Sequence, residues 1–257
     1  MYFDTHTHVN SEEFQDDADA VIQRALDNST WMVNVGTSAS TSKQAVAIAN
    51  KHPQGVFASI GLHPSDVATE SFDEAEYEKL LTDKVVAVGE CGLDYFRLLQ
   101  DQDVEKIKQT QKLEFIKQLA FAIKHDLAVI IHCRDAYSDL LEIMNTEYKG
   151  SRVIIHSFTD TWDTAKKFLD KGYYIAFNGI LTFDKTGKLA DVVEKTPLEM
   201  LLTETDAPYL APPPFRGKRN EPLYVQYVAQ KIADIKKLPA EEVSQQTFDN
   251  ARKLFKV

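Results

Sequence analysis

Short apolar runs recur along the whole chain, and most of them end in a histidine or a carboxylate. Eight runs read as β-strands: residues 2–8, 31–35, 56–60, 85–90, 127–132, 152–156, 173–177 and 200–206. They are the length of strands rather than helices. The segments between them are helical in pattern. From Val104 to His125, for example, Leu113, Ile116, Lys117, Ala120 and Ile123 recur at spacings of three and four, the stripe of an amphipathic helix. Asp160 is the expected N-cap of a helix running to Asp170, with Gly172 as its stop signal. Pro208 and Pro212-Pro213-Pro214 predict a stiff loop over one end of the fold, followed by closing helices from Glu221 onward. The last of these should bury Val243, Phe248, Ala251 and Phe255.

Alternating strands and helices imply a parallel sheet with right-handed crossovers. Eight such units, in a chain of 257 residues, predict an α/β fold: one (β/α)8 TIM-type barrel spanning residues 1–257 as a single domain. An open doubly wound sheet is the alternative, but it would spread the strand ends along an edge instead of around one axis.

Those ends carry the candidate chemistry. His6 and His8 close the first run, and Glu90, His132, His156 and Asp206 close four others. Imidazoles and carboxylates repeated at strand C-termini are what a metal site at the C-terminal mouth of a barrel requires. Each also has a plainer reading. A His-x-His pair can be two surface imidazoles, Glu90 can belong to an ion pair, and Asp206 can cap a helix. The shared position of all six at strand ends, and the prolines after Asp206, favour ligation. Glu90 at the end of a run of small apolar residues fits a carboxylate bridging two cations, since an unpaired buried carboxylate is costly. His132 and His156, on consecutive strands, should lie side by side at the second of these. Glu204 faces the same way as Asp206, either bracing a histidine or filling the interior with a paired charge. His52 and His125 fall at helix ends and are assigned no role.

Composition changes this picture little. Hydrophobic and charged fractions of 44% and 26% are those of an ordinary globular protein. Cys91 and Cys133 each follow a proposed ligand, so alternation along a strand turns both away from the metals. They read as reduced structural thiols, as expected in the cytoplasm. No signal peptide, membrane span or obligatory protein partner is expected.

The motifs Phe3-Asp4-Thr5-His6-Thr7-His8, Gly61-Leu62-His63-Pro64, Gly89-Glu90-Cys91-Gly92-Leu93-Asp94-Tyr95, His132-Cys133-Arg134-Asp135-Ala136, Glu204 to Leu210 and Arg216 to Pro222 together resemble the TatD family of metal-dependent deoxyribonucleases, within the amidohydrolase-like barrels. The resemblance covers the whole chain. It implies two divalent cations (Mg²⁺, Mn²⁺ or Zn²⁺), one held by His6, His8, Glu90 and Asp206 and the other by Glu90, His132 and His156. Two cations about 3.5–4 Å apart can share a hydroxide and clamp the attacking and leaving oxygens of a phosphodiester. Glu90 and Asp206 are then the catalytic carboxylates, with Asp206 orienting the water and accepting its proton. The four imidazoles favour Zn²⁺, Mn²⁺, Ni²⁺ or Fe²⁺ over Mg²⁺, although family members are commonly assayed with magnesium. One departure is visible: His156-Ser157-Phe158-Thr159-Asp160 stands where the family often has His-Cys-Phe-Ser-Gly.

A net charge of −10 argues against a broad nucleic-acid-binding face. A DNA substrate, single-stranded or with frayed ends, must therefore be held by local groups. The candidates are His63, Arg97, Arg134, Arg216, Lys218 and Arg219. The plain reading of the last three is a solvated turn. Tyr95 and Phe96 either stack on a base or pack internally. The leading expectation is a 3′→5′ exonuclease acting on DNA ends. An amidohydrolase-like esterase or lactonase, or an aminoacyl-tRNA ester hydrolase, would use the same site, and a binding protein with a vestigial site is the third reading.

Overall fold

A computed structural model describes residues 1–96, 98 and 103–257. Eight parallel strands follow one another in sequence order: β1 (Tyr2–Thr7), β2 (Thr30–Val35), β3 (Val56–Ile60), β4 (Val85–Asp94), β5 (Ala128–Arg134), β6 (Val153–Ile155), β7 (Tyr174–Phe177) and β8 (Leu201–Thr203). A parallel bridge between Thr7 and Ala207 joins the first strand to the segment after the last. The fold is the expected (β/α)8 TIM barrel. The helices are α1 (Ala18–Asp27), α2 (Ala39–Ala49), α3 (Glu74–Glu78), α4 (Val104–Lys124), α5 (Tyr137–Thr146), α6 (Trp162–Leu169), α7 (Ile180–Phe183), α8 (Lys188–Lys195), α9 (Val225–Lys236) and α10 (Ala240–Phe255).

The apolar residues divide between two layers because each strand is covered on both faces. Val33, Val35, Val86, Ile130, Ile154 and Leu202 belong to one cluster, closed at its base by Phe248, Ala251, Leu254 and Phe255 of α10. The Phe3 ring lies 5.9 Å from that of Phe248 and 5.8 Å from that of Phe255. The expected buried side of the last helix is therefore the plug of the barrel's N-terminal end, leaving the opposite end for the polar strand termini. A second cluster, including Met32, Ile60, Leu93, Ile131 and Ile155, packs between strands and helices.

Two expectations need correction. The helix after β6 starts at Trp162 with Thr161, not Asp160, in the cap position. Along α4, the stripe read as amphipathic is mostly the outer face: Leu113 is 60% and Ile123 49% exposed. The buried side carries Gln111, Glu114, Phe115, Gln118, Leu119, Phe121 and Ala122. Three polar residues are buried there because the loops after β3 and β4 present backbone groups that need partners. Gln118 accepts from Leu62 N at 2.8 Å and donates to Leu62 O at 3.0 Å. Gln111 makes the same paired contact with Asp94, accepting from its N at 2.9 Å and donating to its O at 3.0 Å. Glu114 accepts from Phe72 N at 2.8 Å. The long helix thus fixes the two loops that flank His63 and Asp94.

Candidate metal centre at the barrel mouth

Several ligand-bearing residues stand just beyond their strands, where the chain can turn a side chain over the mouth. The seam between the first and last strands is held by backbone bonds from Asp206 N to His6 O at 2.9 Å and from His8 N to Ala207 O at 2.7 Å. Below it, the buried Asp4 carboxylate accepts from Thr205 N at 2.8 Å, Thr205 Oγ1 at 2.5 Å and His6 N at 3.2 Å. Burial raises the Asp4 carboxyl well above the usual range despite these bonds. Asp206 itself takes φ +57°, a left-handed conformation that aspartate tolerates better than most residues. Gly92, at φ +136°, lets β4 pass against β5: a Cβ there would sit 2.1 Å from His132 O.

Glu90 is the hub. Its Oε2 lies 3.4 Å from His6 Nε2 and 3.8 Å from His8 Nε2. Its Oε1 lies 2.7 Å from His132 Nδ1, 3.5 Å from His63 Nε2 and 3.7 Å from His156 Nε2. One carboxylate oxygen therefore faces each of two groups of imidazoles. Asp206 Oδ1 lies 3.5 Å from His8 Nε2 and 3.8 Å from His6 Nε2. The ligand atoms converge in three overlapping sets: His6, His156 and Asp206; His6, His8 and Glu90; and His63, Glu90 and His132.

The six residues singled out as ligands are thus brought together: His6 and His8 face Glu90 Oε2 and Asp206 Oδ1, and His132 and His156 both face Glu90 Oε1. The His132 and His156 ring centroids are 6.4 Å apart, and His156 also stacks on His6 with centroids 3.5 Å apart. Each of the two rings has a further carboxylate partner. Asp94 Oδ2 lies 3.0 Å from His132 Nε2, and Glu204 Oε2 lies 2.9 Å from His156 Nδ1. Glu204 also accepts from Ser157 N at 2.8 Å and Asn178 Nδ2 at 3.2 Å, so it braces the histidine. Asp94 joins the cluster through His132, and the strand-end reading passed it over. The signal available was its position four residues beyond Glu90, on the same strand once β4 is recognised as longer than its apolar run.

The electrostatics match a centre built for cations. Burial opposes ionisation of Glu90, but His63, His6 and His132 outweigh it and hold the carboxyl well below the usual range. Burial is likewise outweighed at Asp206 by the His8, His156 and His6 imidazoles, and its carboxyl is lowered. Burial and the neighbouring His156 push His6 down. Burial also works against His8 and His132, yet their carboxylate neighbours raise both. At His156, Glu204 overcomes burial and raises the imidazole to about 10. The His6 and His8 Nε2 atoms face each other at 3.1 Å, and a divalent cation accepting both lone pairs satisfies such a donor set better than shared protons do. The residues therefore fit the metals.

The remaining candidates fall in different places. His63 is 6% exposed and packs against His132 with ring centroids 4.5 Å apart. It sits within the cluster rather than on the rim. Arg97 lies outside the described residues. Arg134 ends β5 with its guanidinium carbon 3.6 Å from the Phe96 ring centroid. Arg216 is exposed, donates to Ala211 O at 2.9 Å and covers the Phe183 ring. Lys218 is exposed on the same loop. Arg219 is committed to the protein: it bonds both Asp17 oxygens, at 2.9 and 2.6 Å, and Glu13 O at 2.7 Å. Asn220, fully buried, ties the loop back by donating to Thr205 O at 2.9 Å and Tyr209 O at 2.7 Å. Cys91 and Cys133 are free and buried. Among the described residues no helix is long and apolar enough to cross a membrane.

Comparison with known proteins agrees with this geometry. A family model described as TatD-related DNase matches residues 3–256. The chain is 38% identical to an uncharacterised metal-dependent hydrolase, YabD, of Bacillus subtilis, over 100% of both chains. It is 33% identical to a 3′-5′ ssDNA/RNA exonuclease, TatD, of Erwinia tasmaniensis, over 98% of this chain and 99% of that one. The solved structure of YjjV, a TatD homologue of Escherichia coli, superposes with a TM-score of 0.90 at 31% identity, covering 100% of this chain and 98% of the other.

Proposed function

The chain belongs to the TatD-related DNase family and is a metal-dependent hydrolase; on that premise we propose that it cleaves phosphodiester bonds at the ends of single-stranded or frayed DNA, as a 3′→5′ exonuclease. The observation that carries this reading is the split engagement of Glu90, with Oε2 toward His6 and His8 and Oε1 toward His132, His63 and His156. A carboxylate so placed suits two divalent cations. His6, His8, Glu90 and Asp206 would hold one, and Glu90, His132 and His156 the other, with His63 close enough to Glu90 to share it. Bound there, such a pair supplies Lewis acidity toward the phosphoryl oxygens and acidifies water.

The chain's own residues do the rest. Asp206, kept ionised by its imidazole neighbours, accepts the proton of the attacking water. Glu204 and Asp94 hold the orientation of His156 and His132, as carboxylates commonly do for ligating histidines. Arg134, Arg216 and Lys218 stand around the mouth as phosphate contacts, whereas Arg219 secures the loop that carries two of them. Imidazole-rich ligation favours Zn²⁺ or Mn²⁺ over Mg²⁺. The similarity to relatives named as 3′-5′ ssDNA/RNA exonucleases supports the substrate class.

A single preparation tests the reading when supplied in turn with Mg²⁺, Mn²⁺ and Zn²⁺ and offered single-stranded DNA, duplex DNA, RNA and model carboxylic esters. Shortening of single-stranded DNA from its 3′ end, faster than any ester hydrolysis, is the expected result. Turnover confined to the esters would replace phosphodiester chemistry with carbonyl chemistry at the same site.

A further inference from the structure

Two aromatic residues follow Asp94, and the fold treats them oppositely. Tyr95 is half-buried, and its hydroxyl donates to Asp139 Oδ2 at 2.8 Å. Phe96 is 58% exposed. Among the described residues, the other large exposed apolar side chains are Met1 at the terminus, Leu113 and Ile123 on the outer face of α4, and Tyr209 on the loop after β8. Phe96 is the one fastened beside the β5 end of the cluster.

That fastening is extensive. Gln111 grips the main chain of Asp94 at both N and O. Tyr95 N donates to Arg134 O at 2.9 Å, extending the pairing of β4 with β5 by one residue. Phe96 N donates to Asp94 Oδ1 at 3.0 Å, while the other oxygen of the same carboxylate lies 3.0 Å from His132 Nε2. The Phe96 backbone is therefore one side chain away from the cluster of candidate ligands. Arg134, two residues beyond His132, brings its guanidinium carbon within 3.6 Å of the ring centroid. An exposed ring on a surface loop needs none of this. A ring held at set height, backed by a cation, has the form of a stacking surface.

We infer that Phe96, backed by Arg134, is the platform on which the terminal nucleobase of a single-stranded substrate stacks, placing the adjacent phosphodiester over the cluster. The inference rests on the nuclease reading and adds to it the residue that recognises the base. The ligand chemistry follows from the pair: a flat π surface for a base of any identity, and a fixed positive charge beside it for the backbone phosphate. It also fits a net charge of −10, which disfavours a long electrostatic track and leaves the grip to groups close to the cut.

The test is a cycle between protein ring and nucleic-acid base. Wild type and Phe96→Ala are each assayed on a single-stranded oligonucleotide and on the same oligonucleotide with an abasic analogue at its terminal position. Stacking removed by alanine substitution should lower kcat/KM on the base-bearing end by about tenfold, mostly through KM. The loss on the abasic end should be at most about threefold, and Phe96→Tyr should recover the base-bearing substrate. Equal losses on both ends, or none on either, would overturn the platform while leaving the nuclease reading in place. A wild-type protein that cleaves neither oligonucleotide would remove the nuclease reading and the platform together.

Discussion

Glu204 Oε2 lies 2.9 Å from His156 Nδ1, and the carboxylate is fully buried. Its partners point to a brace that sets the tautomer and angle of a ligating ring. Glu204→Gln keeps the shape but removes the charge. It should lower metal affinity or activity by roughly 10- to 100-fold with unchanged circular dichroism. Metal titrations and initial rates within twofold of wild type would show that Glu204 only fills the interior.

The same pair gives a pH signature to the metal-stripped protein. The folded His156 imidazole is raised to about 10, above its ordinary 6.5, chiefly because Glu204 outweighs burial. A raised folded pKa contributes stability that is fully present below about pH 6.5 and lost as pH rises through about 10. Chelator-treated wild type should therefore lose thermal stability across that window more steeply than chelator-treated Glu204→Gln. Parallel melting curves for the two would contradict the assignment.

Glu90→Gln should abolish hydrolysis and reduce metal content, because the carboxylate faces both imidazole groups. Asp206→Asn should also lose at least about 100-fold in kcat even where some metal is retained, since an amide cannot accept the water proton. Metal analysis alongside rates separates the two effects. Turnover near wild type in Asp206→Asn would move the base elsewhere.

On the loop after β8, Arg219 and Lys218 should behave differently. Arg219→Ala removes the Asp17 pair and the contact with the Phe14 ring, so it should cost about 1 kcal/mol of stability. Lys218→Ala should leave the melting temperature unchanged while weakening DNA cleavage severalfold. Chemical denaturation and kcat/KM measured on both variants would reveal a reversal of these roles.

The inverted face of α4 gives a stability test. Gln118→Leu, an apolar replacement at a buried site, should destabilise by about 1–3 kcal/mol because Leu62 N and O lose their partner. Leu113→Gln, a polar replacement of an apolar residue, should stay within about 0.5 kcal/mol of wild type. Urea midpoints in the opposite order would restore the apolar stripe as the buried one.

The contrast on α4 marks where sequence reading stops. Strand positions, the eight-fold alternation and the six ligand-type residues at strand ends were legible because they depend on local properties: run length, alternation along a strand and the cost of burying an unpaired charge. The buried side of the last helix, with Val243, Phe248, Ala251 and Phe255, was legible from its helical spacing, but not that it plugs the barrel. What the sequence by itself could not decide were relationships between distant backbones. Gln111 and Gln118 are buried because the ends of the adjacent strands β3 and β4 expose unpaired N–H and C=O groups toward one helix, a demand that no periodicity records. His63 joins the cluster, His156 stacks on His6, and Arg219 is captured by Asp17 some two hundred residues away. Tyr95 and Phe96 are equivalent as sequence, yet one turns to Asp139 and the other stays exposed against Arg134. The chain's pattern determined which groups reach the mouth of the barrel. Closure of the barrel, bringing His6 O to Asp206 N at 2.9 Å, decided which of them face one another.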